Sequence, residues 1–122
     1  MKYTVDKQEK YSIFALNEDR LLSLIAPDLK SQFTLLHAEG VPNLILDLKN
    51  VTFVDSAGLS AILTAKRLWN ESSFVLTGVN ETVKKLIDIS KLTNQLLVVP
   101  TLDEAVELVH MEELERELSA DE

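Results

Sequence analysis

The chain has 122 residues, 46% of them apolar and 26% charged, with 20 acids against 12 bases and no cysteine. That length allows one domain around one core, and the absence of cysteine excludes disulfides, thiol nucleophiles and thiolate metal sites. The net charge of −8 comes with scattered bases such as Lys49, Lys66, Arg67, Lys84 and Lys85. Nucleic acid and anionic membranes need clustered cations and are poor partners; a basic protein surface suits this chain better.

No apolar stretch approaches the ~18 residues that cross a bilayer. The start, Met1-Lys2-Tyr3-Thr4-Val5-Asp6, lacks the apolar region of a signal peptide. The expected address is cytoplasmic, and the expected domain runs from 1 to 122 without a linker.

In chain order, Lys2–Asp6 alternates like a strand and Tyr11–Leu16 is a short apolar strand-like run. The polar residues between them suit a hairpin. Leu21, Leu22, Leu24, Ile25, Leu29, Phe33 and Leu36 recur at mostly helical spacing up to Ala38. Pro27 belongs in the first turn of the main helix; Gly40 closes it and Pro42 blocks its continuation. Leu44–Leu48 is a buried-type strand, and Val51–Val54 leads through Asp55-Ser56-Ala57-Gly58-Leu59 into a helix to about Asn70. Phe74–Thr77 is a strand, with Asn80 capping a helix Glu81–Ser90. Leu96–Val99 is a strand, and Pro100-Thr101 opens a helix from Leu102 to about Leu118. Strands apolar on both faces, separated by single helices, predict a parallel sheet of right-handed βαβ units. The N-terminal pair adds an antiparallel edge. The fold class is α/β, a four- or five-stranded mixed sheet with about four helices. Glu112, Glu113, Glu115, Glu117, Asp121 and Glu122 crowd the C-terminus around Arg116, and 112–122 reads as a solvated helix end with a frayed acidic tail.

The sharpest local feature is Val54-Asp55-Ser56-Ala57-Gly58-Leu59, where a strand-like run gives way to a helix. Asp55 or Ser56 can accept a bond from a free backbone N–H of the first turn. Gly58 permits close approach there. A serine hydroxyl then sits at the positive end of a helix dipole, where a phosphate is tolerated while its charge of about −2 repels a docking partner. By itself such a turn needs no role beyond capping. Ser60, one turn along, is a second hydroxyl near the helix start.

Catalytic readings are weaker. His37 and His110 fall near a helix end and within a helix, and no Ser, His and acid converge by spacing. Three glycines cannot build a phosphate loop. Asp47 and Asp55 have no third carboxylate fixed nearby to hold a cation. Glu18-Asp19, Asp47 and Thr77 imitate the phosphoacceptor site of a receiver domain, but only one helix fits between Asp19 and Leu44. Val99, not a lysine, precedes Pro100. No enzyme activity, metal or cofactor is expected.

The whole pattern resembles the STAS family, the domain shared by sulfate transporters and bacterial anti-sigma factor antagonists. The residues that carry the resemblance are Ala26-Pro27-Asp28-Leu29-Lys30, Leu44-Ile45-Leu46-Asp47-Leu48 before Phe53-Val54-Asp55-Ser56-Ala57-Gly58-Leu59, Leu76-Thr77-Gly78-Val79, and Val99-Pro100-Thr101-Leu102-Asp103-Glu104-Ala105. In antagonists of this family the serine after the aspartate is phosphorylated by the anti-sigma factor, which is also a serine kinase; a separate serine phosphatase restores it. The resemblance implies that Ser56 is that serine and that phosphorylation releases the partner. It implies a partner-binding surface of Asp55, Ser56, Ala57, Gly58, Leu59, Ser60 and Leu22, with Gly58 giving the partner's backbone access. Two departures stand out. The family's Gly-x-Leu-Asp corresponds to Asp19-Arg20-Leu21-Leu22, so the aspartate near the phosphorylated serine is a leucine. The usual glycine after the third helix is replaced around Ser90-Lys91. An alternative expectation is a STAS subunit of a transport ATPase assembly, such as one moving lipids, with no phosphate switch. A stressosome-like scaffold lacks its usual sensor domain here.

Overall fold

The computed structural model describes residues 1–120. Its elements are β1 (Tyr3–Lys7), β2 (Ser12–Leu16), β3 (Arg20–Leu21), α1 (Ala26–Ala38), β4 (Leu44–Asp47), β5 (Phe53–Val54), α2 (Ser56–Leu68), β6 (Phe74–Thr77), α3 (Glu81–Ile89), β7 (Leu97–Val99) and α4 (Leu102–Ala120). The main sheet has the order β1-β2-β4-β6-β7. Only β1 and β2 run antiparallel; the β2–β4, β4–β6 and β6–β7 pairs are parallel. The chain is thus an α/β domain with four helices on a mixed five-stranded sheet.

Every residue of β4 and β6 is buried, because both faces of the sheet are covered. One face turns Phe14, Leu44, Leu46, Phe74 and Leu76 toward Phe33, Ile62, Trp69, Val83 and Ile87 of the α1–α2–α3 layer. The alternate residues Ile45 and Val75 meet Ala105 and Val109 of α4 on the other face. Trp69 lies in the larger core, its indole Nε1–H donating to the Val41 carbonyl at 2.9 Å and its ring edge-on to Phe33 at 6.4 Å.

The helix boundaries follow local chemistry. Pro27 lies in the first turn of α1, where its missing N–H leaves no vacancy in the ladder. Gly40 takes φ +91° just past α1, and Val41 N–H returns to Leu36 O at 3.2 Å, a Schellman closure. Asn80 caps α3 by accepting from Val83 N–H at 2.8 Å. Thr101 and Glu104 exchange side-chain-to-backbone bonds, both 3.2 Å, as a capping box for α4.

Two expectations change. The helical spacing from Leu21 does not make a helix there: Arg20 and Leu21 form β3, and Ser23 to Ile25 turn before α1. Leu21 pairs with Val54 in a separate two-stranded sheet, which satisfies its backbone and buries its side chain. The acidic end of α4 forms the expected helix but is not wholly solvated. Residues up to Ala120 continue α4, because Arg116 donates to Ser73 Oγ and Asn43 Oδ1, both at 3.1 Å, and to Glu113 at 3.3 Å. Asp121 and Glu122 lie outside the described residues.

Candidate functional site

The candidate site is the corner where β5 becomes α2. Parallel pairing of β3 with β5 sets Arg20 beside Phe53 and Leu21 beside Val54. Asp19 reinforces the corner: its carbonyl accepts from Thr52 N–H at 2.7 Å and its carboxylate from Thr52 Oγ1 at 2.8 Å. Asp55 follows β5 with an extended backbone and is the N-cap of α2. Its N–H donates to Leu21 O at 3.2 Å and its carbonyl accepts from Leu59 N–H at 2.9 Å. Both carboxylate oxygens are engaged: Oδ1 accepts from Gly58 N–H at 2.8 Å and Oδ2 from Ser23 N–H at 3.1 Å. One side chain therefore starts α2 and ties the turn before α1 to it. Replacing such a cap costs about 1 kcal/mol.

Ser56 is the first residue of α2 and is exposed to solvent. Gly58 and Leu59 N–H are taken by Asp55, whereas those of Ser56 and Ala57 have no carbonyl within the helix to reach. The hydroxyl thus stands outside the packed core at the positive end of a 13-residue helix with no acid in its first turn. Asp55, Ala57 and Ser60 beside it on α2 are half-buried, as is Leu22, which precedes the Ser23 whose N–H reaches Asp55.

Gly58 and Leu59 do not belong to the accessible surface. Leu59 is 7% exposed and packs into the core. Gly58 is buried, and a Cβ there would fall 2.4 Å from the Leu21 carbonyl oxygen. The close approach that glycine permits is made by β3 from within the molecule, so no partner backbone can occupy it. The sequence pattern missed Leu24, which is 89% exposed, and Phe53, which is 41% exposed beneath the Arg20 guanidinium at 5.3 Å. Leu24 was hidden by its fit to a helical repeat. The available signal was Pro27, since a helix rarely extends N-terminally through a proline.

The other singled-out groups do not converge on chemistry. Glu18 accepts from the Lys2 backbone at 2.7 Å, Asp19 from Thr52, and Asp47 from Lys49 N–H at 3.0 Å, so no shared acidic pocket forms. His37 stands edge-on to Trp69 and His110 tilts against Tyr11. Among the described residues no three His, Asp or Glu side chains are grouped to hold a metal, and no helix is long and apolar enough to cross a membrane. A groove of about 440 Å³ lies between α3 and β7, lined by Ile87, Asp88, Thr93 and Val98 among others; it is separate from Ser56.

Solved structures share this architecture. An anti-sigma factor antagonist from Mycobacterium paratuberculosis superposes with a TM-score of 0.80 at 24% identity, over 89% of this chain and 93% of that one. The Bacillus cell fate determinant SpoIIAA in its phosphorylated form gives 0.69 at 18% identity, over 88% and 99%. A sulfate transporter family protein from Wolinella succinogenes gives 0.69 at 17% identity, over 81% and 84%. At these identities the likeness concerns the fold. No curated protein matches the sequence. The STAS domain family model matches residues 2–105. With that match over most of its length, and with the five-stranded sheet and capped α2 corner described above, the chain belongs to the STAS domain family.

Proposed function

We propose that this protein is a partner-switching regulator of the anti-sigma factor antagonist kind. In its unphosphorylated form it binds an anti-sigma factor that is also a serine kinase. Transfer of the terminal phosphoryl group of a nucleoside triphosphate held by that kinase to Ser56 Oγ, with loss of the hydroxyl proton and release of the diphosphate, frees the protein, and a serine phosphatase restores it by hydrolysing the ester. The exposure of Ser56 at the N-terminus of α2 carries this reading. The fold can accept the phosphate, because the helix dipole contributes about 0.3–1 kcal/mol in favour of an anion there. An interface closed over the same oxygen cannot, because burying about two unpaired negative charges costs several kcal/mol. The switch acts on docking and leaves the domain folded. The chain is the substrate of this chemistry, not its catalyst. The docking surface comprises Asp55, Ser56, Ala57, Ser60 and Leu22, extended by the exposed Leu24.

The test is a pull-down from native lysate with parent, Ser56→Ala and Ser56→Glu baits, followed by titration of the captured partner and intact-mass measurement of the endogenous protein. Ser56→Ala keeps partner affinity, whereas Ser56→Glu loses at least about 1.4 kcal/mol, a factor of ten. The endogenous protein carries the mass of one phosphoryl group, absent after phosphatase treatment. Equal binding by both variants removes Ser56 from the interface.

A second reading is favoured by Leu22, which stands where the family resemblance puts an aspartate, next to the exposed Leu24. An apolar rim suits a constitutive dock in a transport ATPase assembly, with no phosphate switch. In that case both Ser56 variants bind alike and Leu24→Asp abolishes binding.

A further inference from the structure

Helix α4 has two apolar sides, and only one of them is covered. Its inner side carries Ala105 and Val109 against Ile45 and Val75. Further along the same side, Glu112, Glu113 and Arg116 clamp the helix to the end of the sheet where β4 and β6 begin. Glu112 accepts from Ser73 Oγ at 2.6 Å, and Asn43, wholly buried, donates to Glu113 at 3.2 Å and to Lys10 O at 2.7 Å. Its Oδ1 accepts from Ser73 N–H at 2.8 Å.

On the opposite side, Met111, Leu114 and Leu118 are 60%, 56% and 59% exposed. At 3.6 residues per turn they fall within a stripe roughly 60° wide, facing away from the sheet. Exposed acids border it: Glu107, Glu115 and Glu117. A shallow groove of about 380 Å³ runs along one flank, between Leu114 and Glu117 and the residues Lys10, His110 and Glu113. The family match ends at residue 105, short of this stripe.

We propose that this outer face of α4 docks a basic amphipathic helix from a partner protein. The partner's apolar residues would cover Met111, Leu114 and Leu118, and its Lys or Arg side chains would meet Glu107, Glu115 and Glu117. Charge selects this occupant. A second copy of the chain would bring acidic borders against acidic borders, and an anionic membrane would meet the same repulsion. The part-buried clamp holds the helix in place before binding, so little ordering is needed on docking. The face lies on the opposite side of the sheet from α1 and α2, so it is distinct from the Ser56 corner and does not depend on the reading given for that corner.

The probe is a labelled synthetic peptide of about 18 residues, five helical turns, with leucine and lysine patterned as a basic amphipathic helix. Its binding to the full chain is read by fluorescence anisotropy. Two controls are a peptide of the same composition in shuffled order and one with glutamate for lysine. The patterned basic peptide binds at least about tenfold more tightly than either control. Leu114→Asp with Leu118→Asp, and separately Glu115→Lys with Glu117→Lys, each weaken it by about tenfold or more. Circular dichroism checks that both variants keep the parent's helix content, and in the unmodified protein the peptide shifts the NMR signals of the Met111, Leu114 and Leu118 methyl groups. Equal binding of the shuffled peptide, or methyl signals that do not move, overturns the proposal. So does sedimentation showing a dimer of the chain alone that Leu114→Asp dissociates, which would make a second copy the occupant.

Discussion

Gly58→Ala puts two physical effects in direct opposition. Within a helix, alanine is more favourable than glycine by at most about 1 kcal/mol, so propensity predicts a more stable protein. The tertiary structure predicts the reverse. The added Cβ would lie 2.4 Å from Leu21 O, 2.7 Å from Leu21 Cγ and 2.8 Å from Val54 Cγ1. A carbon–oxygen contact normally settles near ~3.3 Å, so α2 and β3 must separate by roughly 0.9 Å. The carbonyl cannot swing aside, because Leu21 pairs with Val54 and its oxygen accepts from Asp55 N–H at 3.2 Å. Separation loosens that bond and the 3.1 Å bond from Ser23 N–H to Asp55, each contributing about 1 kcal/mol. Overpacking adds about 1–3 kcal/mol. The expected net loss is about 2 kcal/mol or more. Urea unfolding measures it: with a slope of about 1–3 kcal/mol per molar for a domain of this size, the midpoint falls by roughly 1 M at unchanged slope. An alanine variant as stable as the parent would refute the tight β3–α2 contact and the explanation of why this corner takes glycine.

Three further outcomes follow from other local geometry. Asp55→Ala removes both the α2 cap and the tie to Ser23 and lowers stability by about 1–2 kcal/mol, with faster amide exchange at Ser23 and Gly58 as the local signature. Lys91 is the only non-glycine with positive φ among the described residues, at 60°, and closes α3 through Leu92 N–H to Ile87 O at 3.0 Å. Lys91→Gly relieves left-handed strain of about 1–2 kcal/mol against a glycine entropy cost of about 0.5–1 kcal/mol, so thermal unfolding shifts upward by a small amount. Thr77 Oγ1 is buried with no hydrogen-bond partner among the described residues; Thr77→Val keeps the shape, removes that desolvated hydroxyl and leaves stability equal or higher by calorimetry.

Local pattern was a good guide wherever a residue's environment is set by its neighbours in sequence. The all-buried runs of β4 and β6, the Asn80 cap, Pro27 in the first turn of α1 and Gly40 after it were all legible, because strand burial and helix ends have short-range signatures. The same is true of Asp55 and Ser56: an acid and a hydroxyl before an apolar helix announce a cap and its first residue. Leu21 and Leu24 were not legible. Both fit a helical repeat, yet one is buried in a two-residue strand and the other is the most exposed of the large apolar residues. Their fates depend on β5, about 30 positions away, whose backbone Leu21 pairs with and whose following Asp55 holds Ser23. Glu112, Glu113 and Arg116 likewise looked like part of a solvated tail, because nothing near them in sequence mentions Asn43 or Ser73.

Composition, strand and helix periodicity and the cap residues determine an acidic α/β domain of repeated βαβ units with a hydroxyl at the start of α2. Tertiary structure decided which side of that start faces water, because Gly58 is covered by a strand that only long-range pairing brings there and Leu59 packs into the core. It also decided that the end of α4 is anchored on one side and leaves a free apolar stripe on the other, because the part-buried hydrogen bonds that hold it join residues about 40 to 70 positions apart.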